Sequence, residues 1–159
     1  MEKDRPGAAR SDRVEAIRRL LLEGRFGTLS TIATRPEGFP LGSLVPFAQC
    51  ARGKPLLLLS GLAQHTRNLR ADPRASLLVL APGAADPMQA PRAALLGKAV
   101  ALDGAEAEDG KARFLERHPM SAAWLALDFG PWRLDVTEVR FVGGFGQAAW
   151  VSGSEVLGD

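Results

Sequence analysis

The sequence predicts a mainly β protein, an antiparallel β-barrel with peripheral helices. Strand-like segments outnumber helical ones, at roughly six or seven against three or four, when hydrophobic alternation and turn residues delimit them. The strands follow one another mostly through short turns, as hairpins, and this order disfavours a doubly wound parallel sheet, in which strands and helices alternate. With 159 residues the chain has the length of one domain around one core.

The first eleven residues are polar and contain glycine and proline, so we expect a flexible N-terminal tail over 1–11 and one domain over 12–152. A first helix begins near Asp12, where Ser11 or Asp12 provides the cap. Gly24 ends this helix. Its apolar positions recur at helical spacing and are Val14, Ile17, Leu20 and Leu21.

A β-hairpin is predicted next. Residues 27–34 alternate small or polar residues with Leu29 and Ile32, which is typical of a half-buried strand. The turn residues of 35–38 end this strand, and a second strand follows over 40–48.

Four consecutive leucines, Leu56 to Leu59, are too few for an independent helix and predict a central strand that is covered on both faces. This strand leads through Ser60 and Gly61 into a helix start that is rich in polar groups. The helix ends at 71–72, because Pro73 disfavours its continuation. The first N–H groups of a helix lack partners and carry partial positive charge, so this turn suits an anion such as a phosphate.

The second half of the chain returns to strands. They are predicted over 75–80, 92–102 and 129–151. Two helices separate the last two strand regions, at 105–117 and 121–127. Ser121 caps the shorter helix, and Gly97 marks a bulge or a close approach of two backbones. Glycines 143, 144 and 146 break the last strand region, and residues 153–159 form a C-terminal tail.

Charge and composition argue against several classes of partner. Twenty basic residues are nearly balanced by eighteen acidic ones, and no basic run is interleaved with aromatics, so nucleic acid is not expected as a partner. No apolar run is long enough to span a bilayer, and the N-terminus has neither a signal-peptide nor a transit-peptide pattern. Cys50 is the only cysteine, which excludes an intrachain disulfide and a cysteine-rich metal site. We expect a cytoplasmic protein with no membrane partner and no metal.

Five motifs occur in order: GTLST at 27–31, P-x-G-S-L-V-P-F at 40–47, QHTRNL at 64–69, ADPRASLLV at 71–79 and FVGGFGQAAWV at 141–151. They resemble the pyridoxamine 5'-phosphate oxidase-like family of FMN-binding split barrels, and within it the haem-utilisation branch most closely. The resemblance runs from Val14 to Val151 and is far more specific than a single motif. It implies an antiparallel split β-barrel, and the chain corresponds to the barrel domain of that branch.

The resemblance also implies a homodimer that binds FMN between its subunits and an oxidoreductase that acts on an unidentified small substrate. The implied cofactor-binding residues are Gly42, Ser43, Leu44, Val45, Ser60, Gly61, Gln64, His65, Thr66 and Asn68. Gln64 and His65 stand where the oxidases carry an Arg-Lys pair, so an amide and a mostly neutral imidazole replace two cations. No catalytic side chain is assigned. Any catalysis would belong to the flavin, because the two histidines, His65 and His118, are part of no recognisable catalytic triad.

Two further residues join the predicted cofactor site. Arg92 opens a strand after a loop with several breakers and can hold an anion bidentately, although a surface ion pair with Asp86 is nearly as favourable. Trp150 can stack on a flavin across the dimer interface, whereas an aromatic at the end of an apolar strand is more often core. For the polar helix start, the alternative is an ordinary capped helix with a solvated face.

Two other functions remain open. A histidine at position 65 is also a feature of the haem-utilisation branch, so haem binding or haem handling is one alternative to FMN. A non-catalytic dimeric binding or regulatory protein that has kept the barrel and lost the flavin is the other. The departure at Gln64 and His65 from the oxidase pattern keeps both open.

Overall fold

Seven antiparallel strands and four α-helices make up the computed structural model, which describes residues 6–144 and 147–158. The strands are β1 (Phe26–Thr34), β2 (Glu37–Gln49), β3 (Pro55–Ser60), β4 (Arg74–Leu80), β5 (Arg92–Ala101), β6 (Phe129–Val142) and β7 (Ala148–Ser152). The helices are α1 (Pro6–Glu23), α2 (Gln64–Ala71), α3 (Gly104–Arg117) and α4 (Gly153–Leu157), with a 3-10 helix at Pro119–Ala126.

The sheet closes into a barrel. The strand order is β3-β2-β1-β4-β5-β6-β7, and an additional pairing of β3 with β6 joins six of the strands into a ring. All pairings are antiparallel, and β7 extends from β6 outside this ring. The mainly β class, the hairpin of the first two strands and the barrel are therefore confirmed.

The leucine strand lies at the centre of the packing, as predicted. Leu57 and Leu59 belong to the main core inside the barrel. Leu56 and Leu58 belong to a second cluster with Phe114 of α3. Because α3 covers the outside of this strand, both of its faces are buried, and the run of four leucines needs no polar alternation.

Both chain ends are more structured than the sequence predicts. α1 begins at Pro6 rather than near Asp12, because proline is well tolerated in the first turn of a helix and the alanines that follow favour helix. The flexible tail is therefore wrong from residue 6 onward, and residues 1–5 lie outside the described part. Residues 153–157 form α4, and Val156 packs in the core beside α1 while its carbonyl accepts from Arg18 Nε at 2.7 Å. The C-terminal tail is therefore wrong too.

Two local predictions have opposite outcomes. The strand register shifts at Gly97, where a Cβ would stand 2.0 Å from the carbonyl oxygen of Asp135, so the predicted bulge and close approach are confirmed. The short helix expected from Ser121 is instead a 3-10 helix that begins at Pro119, and Ser121 is buried inside it rather than capping it. Its N–H donates to the carbonyl of His118, so the turn starts earlier than the side-chain signal indicates.

Within residues 6–144 and 147–158, no helix combines the length and the hydrophobicity that crossing a bilayer requires.

Candidate functional site

The polar turn between β3 and α2 is held together by its own side chains. Thr66 and Asn68 are 1% and 0% exposed. Thr66 Oγ1 donates to the carbonyl of Ser60 at 2.6 Å. Asn68 Nδ2 donates to Thr31 Oγ1 at 2.9 Å, and its Oδ1 accepts from the N–H of Thr34 at 3.0 Å. These two side chains attach α2 to the barrel, so the alternative of a solvated face is wrong for them.

Gln64 takes part in the same network. Its Nε2 donates to Asn68 Oδ1 at 2.9 Å and to Thr34 Oγ1 at 3.0 Å. The residue before the helix is Ala63, which provides no side-chain cap. Three of the predicted phosphate ligands therefore make hydrogen bonds within the chain, Gln64 and Asn68 to β1 and Thr66 to the end of β3.

Hydrogen-bond donors at the end of β3 donate to one aspartate, Asp128. Ser60 Oγ donates to Asp128, with both carboxylate oxygens at 3.0 Å, and the N–H of Leu62 donates to Asp128 Oδ2 at 2.9 Å. The N–H of Gly61 donates to the backbone carbonyl of Asp128 at 3.1 Å. The chain thus supplies its own anion to the turn that the sequence assigns to a phosphate.

Asp128 is absent from the sequence-based site for a clear reason. It is 68 residues from Ser60, and only the pairing of Ser60 with Phe129 between β3 and β6 brings it there. No pattern of residue spacing in the sequence predicts a contact between residues so far apart. An acidic residue just before a predicted strand is the one local signal, and it is too common to select.

His65 is the histidine with an accessible ring. It is half-buried, and the described part of the chain offers it no hydrogen-bond partner. Burial lowers the pKa of His65 below 6.5, so the imidazole is neutral at pH 7 and keeps a lone pair for a ligand.

His118 has a different environment. It is 8% exposed, its Nε2 lies 2.8 Å from the carbonyl oxygen of Phe47, and its ring packs against Phe26 and Phe114. Burial is the largest influence on the pKa of His118 and lowers it below 6.5. This histidine is a structural residue of the helix end.

The predicted ring-binding segment of β2 lies at an open part of the sheet. β2 pairs with β3 only through Phe47, Ala48 and Gln49, so Gly42–Val45 have a strand partner on the β1 side alone. Leu44 is 78% exposed, whereas Val45 points into the core. The backbone along this edge is therefore available to a ligand or to a second chain.

Starting from this segment, a continuous row of residues paired in register crosses the outside of the barrel. Register places its members side by side on successive strands from β2 to β7, in the order Leu44, Thr28, Leu78, Ala94, Arg140 and Trp150. We name the barrel surface along this row the outer face. Trp150 is 60% exposed at its end, and the Arg140 guanidinium carbon lies 5.5 Å from the centre of the ring. The alternative that Trp150 is core is wrong.

The outer face is rich in apolar groups. Phe26, Phe39 and Leu80 are also exposed on these strands. A shallow cavity of about 280 Å³ lies on the same side of the barrel. Its lining residues are Ser30, Thr31, Ile32, Pro40, Arg74, Ala75, Ser76 and Leu96.

Arg92 is distant from the turn after β3. It pairs with Leu80, at the end of β4 away from α2, and a strand of this length separates it from Arg74 by about 20 Å. Its Nη1 donates to the carbonyls of Met88 and Ala90 at 3.0 and 3.3 Å. No ion pair joins Arg92 to Asp86 among the described residues. One chain by itself therefore does not bring Arg92 to the other predicted phosphate ligands.

Cys50 lies at the turn between β2 and β3, half-buried beside a cavity of about 470 Å³. This turn is at the opposite end of β3 from Ser60. Among the described residues, no three His, Cys, Asp or Glu side chains are grouped closely enough to hold a metal ion.

Comparisons with known proteins identify a matching family model, a similar protein sequence and similar solved structures. The family model described as CREG, beta-barrel matches residues 8–157. The non-canonical heme oxygenase HOZ, chloroplastic, from Arabidopsis thaliana is 39% identical over 149 residues, which are 92% of this chain and 45% of that protein. The chain thus spans less than half the length of this relative.

Two solved structures share the architecture. A heme binding protein from Mycobacterium smegmatis has a TM-score of 0.83 and 33% identity, with 98% of this chain and 62% of that one covered. A protein from Clostridium acetobutylicum, of the pyridoxinephosphate oxidase family, has a TM-score of 0.68 at 10% identity, with 91% of this chain and 97% of that chain covered. The second likeness concerns the fold alone.

Proposed function

The chain belongs to the CREG β-barrel family, and from this premise we propose that its barrel binds haem. The family match confirms the split-barrel resemblance and leaves FMN and haem as the two candidate cofactors. Two relatives with more than 30% identity carry haem in their names, as a heme oxygenase and a heme binding protein. The observation that carries the proposal for this chain is the neutral imidazole of His65, which has no protein partner among the described residues.

The residue types support His65 as the iron ligand. Haem iron is held in proteins by His, Cys, Met or Tyr, and the chain contains no tyrosine. His118 is buried, and its Nε2 is engaged with Phe47. Haem would supply an iron centre with its redox chemistry. The chain would supply the ligand, an apolar surface and charges for the propionates.

Two arginines of α2 suit the propionates. Arg67 is exposed and Arg70 is exposed, and both lie within about two turns of His65 on the same short helix. Arg70 Nη1 donates only weakly, to the carbonyl of Gly61 at 3.4 Å. A guanidinium pairs bidentately with a carboxylate, but residues two and five positions after His65 lie on other faces of the helix, so a ligand would have to extend around α2 to reach them.

FMN is the second candidate, and the open edge at Gly42–Val45 favours it, since a flat ring can lie along unpaired backbone groups. The fit of its phosphate is poor within one chain. Asp128 holds the donors of Ser60 and Leu62, and Thr66 and Asn68 are buried. A flavin-dependent oxidoreductase would therefore need another phosphate site. A barrel that has lost its flavin, the regulatory alternative, agrees with the same contacts.

We also propose a homodimer through the outer face. Exposed apolar side chains along the outer face favour burial against a second copy. A two-fold interface uses the same surface on both subunits, so such a dimer would bury exposed residues of the outer face from each copy. Such an arrangement would allow Trp150 to contact a planar cofactor across the interface, as the sequence predicts.

Offering both cofactors to the purified protein tests haem against FMN. Haemin should give a saturable Soret band at one equivalent, while an equal amount of FMN remains unbound and fully fluorescent. Uptake of FMN without a Soret band on haemin titration would reject haem binding in favour of the flavoprotein.

A further inference from the structure

We propose that Asp128 acts as a built-in anion at the turn after β3 and selects against ligands that carry a phosphate. The carboxylate takes the place that a phosphate would occupy. Asp128 is then a specificity-determining residue that keeps phosphate-bearing cofactors, FMN among them, out of this barrel.

The donors of the turn converge on this side chain. Ser60 Oγ and the N–H of Leu62 both lie within 3.0 Å of its oxygens. The carboxylate lies against Gly61, where a Cβ would stand at an ordinary contact distance of 3.4 Å from Asp128 Oδ2. A hydroxyl and a backbone N–H that point at one oxygen-bearing anion are the groups that elsewhere bind phosphate.

The position of Asp128 is set by the fold. Its backbone carbonyl accepts from the N–H of Gly61, and the next residue, Phe129, pairs with Ser60 at the start of β6. The backbone of Asp128 is therefore held at the turn, and its carboxylate leaves the turn only by a side-chain rotation that breaks the hydrogen bonds from Ser60 and Leu62. A phosphate would have to displace the carboxylate from both donors.

Charge opposes that approach. A phosphate oxygen bound to the Leu62 N–H would be a few ångströms from the carboxylate, and two like charges at such a distance repel. Asp128 is exposed, so water and salt weaken the repulsion without removing it. The guanidinium of Arg70 lies close by, since its Nη2 would stand 3.5 Å from a Cβ at Gly61, and it offsets part of the charge of the carboxylate.

FMN and riboflavin form the matched pair of probes, because they share the ring and differ in the phosphate. Their dissociation constants are measured by flavin fluorescence for the wild type, Asp128→Asn and Asp128→Ala. Asp128→Asn removes the charge and keeps an oxygen that can accept from Ser60, so it preserves the fold if Asp128→Ala does not. Asp109→Asn, in an exposed pair with Arg113 on α3, changes the net charge equally and is the control.

We expect the wild type to bind FMN no more tightly than riboflavin. Asp128→Asn should tighten FMN by about tenfold, the scale of one charge-assisted contact, with riboflavin and the Asp109→Asn control unchanged. Adding Ser60→Ala to Asp128→Asn should cancel the gain.

Three results would overturn the proposal: a wild type that already prefers FMN tenfold, variants whose FMN affinity is unchanged, or an equal gain for riboflavin. The comparison does not rest on haem binding. Haemin titrated in parallel separates the two, since a wild type without a Soret band refutes the proposed function and leaves the flavin comparison standing.

Discussion

At the scale of single residues, the two histidines differ in what surrounds them. His65 has a half-buried ring without a protein partner in the described residues, while His118 is packed between Phe26 and Phe114. The same cause, burial, lowers the pKa of both. Their exposure, ring contacts and hydrogen bonds distinguish a candidate ligand from a structural residue, and the sequence contains no sign of these differences.

The depressed pKa of His118 predicts a pH-dependent stability. Its value in the unfolded chain is 6.5 and its folded value is lower, so the unfolded state binds more protons in this window. The free energy of unfolding should therefore fall as the pH drops from 6.5 through the folded pKa. His118→Gln keeps a donor for the carbonyl of Phe47 and does not titrate.

Urea unfolding between about pH 5 and pH 8 measures this effect. The wild type should lose stability toward acid more steeply than His118→Gln, and the presence of His65 in both proteins cancels its own contribution. Equal slopes for the two proteins would show that His118 does not titrate as its burial requires.

Asp128 and Asn68 show which properties of a single residue can be predicted from the sequence and which cannot. The phosphate that the sequence assigns to the turn after β3 stays a prediction, and the donors of this turn bind the carboxylate of Asp128. This contact depends on a partner 68 residues away. Likewise, the polar character of Asn68 is visible in the sequence, but its burial follows from the docking of α2 on β1.

At the scale of elements, α2 is attached to the barrel by polar contacts rather than by a broad apolar face. Asn68→Ala would leave the Thr34 N–H and the Thr31 hydroxyl without their partner. Because buried unpaired groups are costly, we expect a loss of about 1–3 kcal/mol in the free energy of unfolding. Arg67→Ala on the exposed side should change it by less than about 0.5 kcal/mol. Chemical denaturation of both variants provides the comparison, and equal small losses would contradict the assigned role of Asn68.

The bulge in β5 allows a second test at this scale. A Cβ at Gly97 would lie 2.0 Å from a backbone oxygen, which cannot move aside, so Gly97→Ala should destabilise by at least about 3 kcal/mol or prevent folding. Gly130→Ala in β6 is the matched control, because nothing lies within 4 Å of its Cβ position. Thermal unfolding should separate the two, and a Gly97→Ala protein as stable as Gly130→Ala would mean that the strands do not approach this closely.

Sequence patterns predict most of the elements because strands and amphipathic helices carry their burial in their periodicity. β1 alternates buried and less buried residues along its length, and the leucines of β3 are buried throughout. The patterns fail at the chain ends and at the 3-10 helix, because packing against the rest of the chain determines the local structure there. Val156 holds α4 in the core, and Ser121 is buried by its neighbours rather than used as a cap.

At the scale of the whole molecule, closure of the barrel through β3 and β6 separates a filled interior from an apolar outer face. It also carries Asp128 to Ser60, Arg92 to the end away from α2, and Trp150 to the surface. These placements are products of topology, which explains why ligand residues predicted from motifs are only partly brought together in one chain.

The dimer is tested on the outer face. Leu44→Glu places a charge on a strongly exposed apolar position of the proposed interface, so it should shift the protein toward monomer by at least tenfold in dissociation constant. Met120→Glu, exposed on the 3-10 helix, is the control. Sedimentation velocity reports both, and a Leu44→Glu protein that stays as dimeric as the control would place the interface elsewhere.

Haemin titration of the wild type, His65→Ala and Cys50→Ala tests the central claim most directly. We expect a saturable Soret band for the wild type and for Cys50→Ala, and a band that is shifted and at least tenfold weaker in affinity for His65→Ala. An unchanged titration for His65→Ala, or a wild type that develops no Soret band, would contradict haem binding through His65.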